Sequence, residues 1–138
     1  MNTGIKVGDV MKTSLVTISA DKSIFDAARL MKDHQVGSLI VTSESVSILT
    51  QGDLVEKALA TKHLDVKVGA LASKRLFTIS AELDLADAAS LMGKHKVKRL
   101  LVTKGSQDIV GIISSTDIIR ISPSLYDLIS EHERLKTQ

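Results

Sequence analysis

Ile24, Ala27, Ala28 and Met31 recur at the i, i+3, i+4, i+7 spacing of one buried helix face, and Leu85, Ala88, Ala89 and Met92 repeat it. The small alanines let such a helix lie close against a sheet. Ser23 and Asp84 stand where helix caps belong, with Asp26 and Asp87 three residues on, where a carboxylate suits a helix N-terminus. Downstream, "SLIVT" and "RLLVT" are short β-branched runs that predict buried strands. A second strand follows each, "VSIL" and "IVGII", across the polar turns "SES" and "KGSQD", which read as hairpins. "GDLVEKALA" and "TDIIRI" then begin helices, and a short extended segment at 15–18 or 76–79 enters each copy.

The pattern is a tandem repeat. Thr17 aligns with Thr78 and the match runs without a gap to Thr42 and Thr103; "KVGDVM" and "KVGALA" align ahead of it, from Lys6 and Lys67. After a short insertion in the second copy, Asp53 matches Asp117. Each copy alone is too small to cover both faces of its sheet, so the two are expected to pack into one α+β unit. Beyond them, Ser122 as a cap and Pro123 in the first turn begin a tail helix with an apolar stripe of Leu125, Leu128, Ile129 and Leu135. Docking on its own domain is the simplest reading of that stripe; an oligomerisation or partner helix is the other.

Composition narrows the classes. Within 138 residues, 43% are hydrophobic but only 2% aromatic, so Ile, Leu, Val, Ala and Met must build the core. The formal net charge of +2 is too mild to imply nucleic acid or membrane as a partner. Absence of cysteine excludes disulfides, thiol nucleophiles and thiolate metal sites. The N-terminus lacks a signal-peptide pattern and no run approaches the roughly 18 apolar residues of a membrane span. A cytoplasmic protein with no membrane association is the expectation.

Chemistry concentrates where the second strand of each copy ends. "SILTQGD" closes the first copy and "GIISSTD" the second, each placing a hydroxyl three residues before an aspartate: Thr50 and Asp53, Ser114 and Asp117. Hydroxyl-x-x-carboxylate is a capping box, which needs no ligand. An ionised aspartate also accepts hydrogen bonds from both hydroxyls of a ribose, and a cap can face a ligand, so the readings coexist.

The series resembles the CBS domain, a regulatory module named after cystathionine β-synthase. "VGDVM", "TI" ahead of "SADKSIFDAARLM", "VGSLIV", "VKRLLV" and above all "GIISSTD" carry the resemblance, which covers residues 6–122. It implies an α+β fold of two CBS motifs in pseudo-twofold symmetry, motif 1 at 6–62 and motif 2 at 67–122, with a helical tail at 123–138. The whole of 1–138 is expected to fold together. It further implies a stand-alone sensor with no enzymatic activity and no required cofactor. Such a module binds AMP, ADP, ATP or S-adenosylmethionine in clefts between the motifs, associates as a homodimer and regulates an unidentified partner protein.

Carried onto this sequence, the resemblance makes Asp117 the ribose acceptor, with Ser114, Thr116 and Ile113 beside it and Arg99 reaching for phosphate. Thr17, Ile18 and Ser38 contribute from the first copy. A second, weaker site has Thr50 and Asp53 with Thr78 and Ile79. Arg99 faces Ser38 in the repeat alignment, and a guanidinium fork suits phosphate oxygens far better than a hydroxyl.

Two other readings stay open. One is a protein-interaction or dimerisation module with degenerate clefts. The other is a nucleic-acid-binding module using the basic run "KHKVKR" from Lys94 to Arg99, although the scarcity of aromatics argues against stacking on single strands. That run otherwise reads as a solvated helix end. His34 and His95 occupy equivalent positions without a second ligand at metal spacing, and read as helix-terminal histidines.

Overall fold

A computed structural model describes residues 2–105 and 108–130. In the repeat helices the caps form as the spacing predicts. Ser23 Oγ accepts from the Asp26 N–H at 3.1 Å ahead of α2 (Ile24–His34). Asp84 accepts from the Ala86 N–H at 2.8 Å ahead of α5 (Leu85–His95). Both helices stop at a residue in the left-handed conformation, Gln35 and Lys96.

The remaining elements are α1 (Val7–Val10), β1 (Thr17–Ser19), β2 (Ser38–Thr42), β3 (Ser47–Thr50), α3 (Gln51–Asp53), α4 (Val68–Leu71), β4 (Thr78–Ser80), β5 (Arg99–Lys104), β6 (Asp108–Ser114) and α6 (Ser115–Ile121). A π-helical stretch, Leu54–Leu59, continues α3. The architecture is α+β, with two three-stranded sheets ordered β1-β2-β3 and β4-β5-β6. In each, the first pair is parallel and the second an antiparallel hairpin.

Spatial units and sequence repeats partition the chain differently. One unit is Leu15–Leu76; the other joins Met1–Ser14 to the segment from Phe77 onward. Each leading segment therefore packs on the copy it does not precede. In the unit holding the second copy, Val7 N–H donates to Leu83 carbonyl and Gly8 N–H to Ala81 carbonyl, both at 2.9 Å. In the other, Val68 N–H donates to Lys22 carbonyl and Gly69 N–H to Ala20 carbonyl, both at 3.0 Å. Backbone approach is so close that a β-carbon on Gly69 would sit 2.8 Å from Ala20 Cβ, which is why the "VG" pair suits this place.

Each unit has its own apolar core. Val7, Leu85, Met92, Leu100, Val102, Ile113 and Ile118 are among the buried residues of one. Ile18, Ile24, Met31, Leu39, Leu49, Ala58 and Val68 are among those of the other. Leu125 and Ile129 join the first core with Leu128 packed beside them, so the start of the tail docks on its own unit. A 3₁₀ turn, Pro123–Leu125, begins it, followed by helix at 126–130. Ser122 does not cap this turn as the sequence suggests; its backbone is not in cap geometry, and its hydroxyl meets that of Ser124 at 3.5 Å. Leu135 of the predicted stripe lies outside the described residues. Among the described residues no helix is long and apolar enough to cross a membrane.

Candidate functional site

The antiparallel register places Arg99 opposite Ser114 at the end of the β5–β6 hairpin, and Ser38 opposite Thr50 at the end of β2–β3. At both ends the chain passes directly from strand into helix, and the same reciprocal pair of hydrogen bonds closes the turn. Ser114 N–H donates to Asp117 Oδ2 at 2.9 Å while Asp117 N–H donates to Ser114 Oγ at 3.2 Å. Thr50 and Asp53 do the same at 2.9 and 3.1 Å. The capping-box reading of these motifs is therefore correct in both copies, whatever else the carboxylates do.

What the cap leaves over is Oδ1 of each aspartate. Asp117 Oδ1 lies 3.7 Å from Lys12 Nζ, and Asp53 Oδ1 lies 3.0 Å from Lys57 Nζ. The carboxylates are deep, with side chains 7% and 13% exposed, whereas the lysines are 58% and 49% exposed. An anion, buried at Asp117 and partly buried at Asp53, thus stands behind an exposed cation in each unit.

Neither lysine is among the residues expected from the sequence. Lys12 reaches Asp117 because its own backbone exchanges two hydrogen bonds with Ile112, at 2.8 and 3.0 Å, laying the N-terminal segment beside β6. No spacing rule connects residues at opposite ends of a chain. Lys57, one turn beyond Asp53, had an i, i+4 signal that could have found it.

The remaining expected residues are placed as follows. Thr116 is exposed on the first turn of α6, and Arg99 is half-buried. Ile113 is fully buried in the core of its unit. Thr17 is exposed while Ile18 is buried, and both line a recess of about 360 Å³ together with Lys22, Asp26, Arg29 and Asp33. Thr78 and Ile79 repeat the exposed–buried alternation in β4. Asp117, Ser114, Thr116, Arg99 and Ile113 fall in one unit, Thr17, Ile18, Ser38, Thr50 and Asp53 in the other.

Among the described residues no group of three or more histidines, aspartates and glutamates has metal-binding geometry. His95 stacks on Phe77, with ring centroids 4.0 Å apart and planes 16° from parallel, and His34 is exposed at the end of α2. The basic run spans the end of α5, where Lys94 and Lys96 are exposed, and enters β5 at Arg99.

The CBS domain family profile matches residues 7–60 and 68–124, and the chain belongs to that family. The CBS domain-containing protein YhcV of Bacillus subtilis is 31% identical, over 81% of this chain and 81% of its own. The hexameric CBS-CP12 protein from bloom-forming cyanobacteria has a TM-score of 0.75 at 28% identity, covering 83% of this chain and 66% of that one. The CBS domain pair of protein MJ0100, solved with 5′-methylthioadenosine and S-adenosyl-L-methionine, shares the fold. Its TM-score is 0.75 at 24% identity, covering 87% of this chain and 97% of that one. This chain is a tandem CBS pair, the architecture of a regulatory module.

Proposed function

We propose that this CBS pair is a non-enzymatic sensor of an adenosine-containing ligand, with Asp117 as the principal ribose acceptor and Asp53 as a second, weaker one. One observation carries the reading. In both units a capped, nearly buried aspartate keeps Oδ1 free of the cap and turned toward an exposed side chain. A ribose diol offers two adjacent hydroxyl donors, which such a fixed carboxylate can accept. Arg99 beside Ser114 supplies a phosphate-binding fork on the Asp117 side that Ser38 does not supply beside Thr50. Complexes of the MJ0100 CBS pair with two adenosyl compounds support the ligand class.

The response to ligand passes through a second copy of the chain to a regulated partner; the hexameric CBS-CP12 protein supports self-association as a property of this fold. For any such switch the ligand must contact two states of the protein differently.

A thermal-shift panel of AMP, ADP, ATP and S-adenosylmethionine on wild type and Asp117→Ala tests the reading. Ligand at about 100 times its dissociation constant adds roughly 2.7 kcal/mol, a rise of several degrees that Asp117→Ala should abolish. A flat panel on folded, nucleotide-free protein would reduce both aspartates to helix caps.

A further inference from the structure

Lys12 and Lys57 do the same thing from unrelated places. In the repeat alignment Lys12 corresponds to Ser73, and Lys57 to Ile121, so neither lysine has a copy. Yet each brings one ammonium to the same atom, the Oδ1 that its aspartate does not spend on the cap. One arrives along the N-terminal segment pinned to β6, the other from the π-helical stretch that follows the aspartate. The shared feature is a neutral pair with its cation on the solvent side.

We infer that Lys12 and Lys57 set the charge selectivity of the two sites, favouring a phosphate-bearing ligand over a neutral or cationic one. The inference rests on the reading of Asp117 and Asp53 as diol acceptors. A bare buried carboxylate would repel a phosphate approaching along the ribose. Paired with an ammonium it is neutral, and the flexible four-carbon stem of lysine lets that ammonium turn from Oδ1 to a phosphate oxygen as the diol takes its place.

Lys12 is the freer of the two. Lys57 Nζ also donates to the Leu71 carbonyl at 3.2 Å, which ties it to the end of α4. Arg99, opposite Ser114, adds a second cation on the Asp117 side. The larger effect is therefore expected from Lys12.

Calorimetric titration of the full chain with AMP, adenosine and S-adenosylmethionine separates the charge from the nucleoside. Lys12→Met should weaken AMP about tenfold, near 1.4 kcal/mol, and change adenosine by less than about twofold, while Lys12→Arg holds AMP near wild type. Lys57→Met should shift the AMP-to-adenosine ratio in the same direction and by less. If AMP and adenosine weaken together in Lys12→Met, or their ratio does not move, the lysine only steadies the carboxylate and the inference is wrong. A wild type that binds neither compound overturns the diol reading itself, and this inference with it.

Discussion

Gly111 and Met11 occupy one another's space: a β-carbon on Gly111 would fall 2.5 Å from Met11 Sδ and 2.9 Å from the Lys12 carbonyl oxygen. The absent side chain is what lets the N-terminal segment cross β6, and that crossing brings Lys12 to Asp117.

Gly111→Ala should therefore destabilise the protein by about 1–3 kcal/mol, the usual range for overpacking a tight site. Gly52→Ala is the control, since its β-carbon would meet only Thr50 Oγ1, at an ordinary 3.5 Å. Urea midpoints of the two variants check this, and equal midpoints would show that the segment is not held as closely as described.

Removing a cap separates local stability from binding. Ser114→Ala leaves the Asp117 N–H without its acceptor and should cost about 1 kcal/mol, as should Thr50→Val. The two losses should be of similar size, because the two turns are built alike. Ligand affinity should fall more in Ser114→Ala, given the cations on that side. Denaturation and titration of the same pair of variants decide both points.

Acid should release the N-terminal anchor only below the ordinary aspartate range. Desolvation pushes the Asp84 carboxyl upward, but the N–H of Ala86, the N–H and hydroxyl of Thr3 and the N–H of Gly4 outweigh it and hold it below the usual aspartate value. An aspartate depressed on folding contributes stability that is complete above its unfolded value and lost as the pH falls through its folded one. The Thr3 and Gly4 amide resonances should accordingly titrate together below the ordinary aspartate range, and Asp84→Asn should abolish that titration. Amides that stay flat down to about pH 2 would show that the anchor does not depend on the charge.

The start of the tail belongs to the core. Leu125 is fully buried, and Leu125→Ala should cost about 2–5 kcal/mol, as deletion of a core leucine does. Tyr126, half-exposed beside it, should tolerate Tyr126→Ser with a change within about 0.5 kcal/mol. Thermal melts of the two variants test this; a silent Leu125→Ala would make the tail an appendage.

Much of the fold was legible because its rules are local. Apolar spacing marked α2 and α5, although Ala28 is exposed where its counterpart Ala89 is buried, and Ser23, Asp84, Thr50 and Ser114 declared caps that the backbone then formed. The repeat made two hairpins and two strand-to-helix turns predictable from one another. Ser122 failed as a cap because the residues after it wind as a 3₁₀ turn rather than opening a regular helix.

The two copies, their element order and the four helix caps Ser23, Thr50, Asp84 and Ser114 follow from the chain alone, since all depend on neighbours a few positions apart. Tertiary packing set which leading segment lies on which copy, that Ile113 is buried in the core, and that the Lys12 ammonium meets Asp117. Those outcomes depend on burial and on backbone pairing between distant segments: Val7 N–H meets Leu83, and Lys12 reaches Asp117 because Ile112 holds its backbone. A repeat fixes what each copy is, and packing fixes what each copy touches.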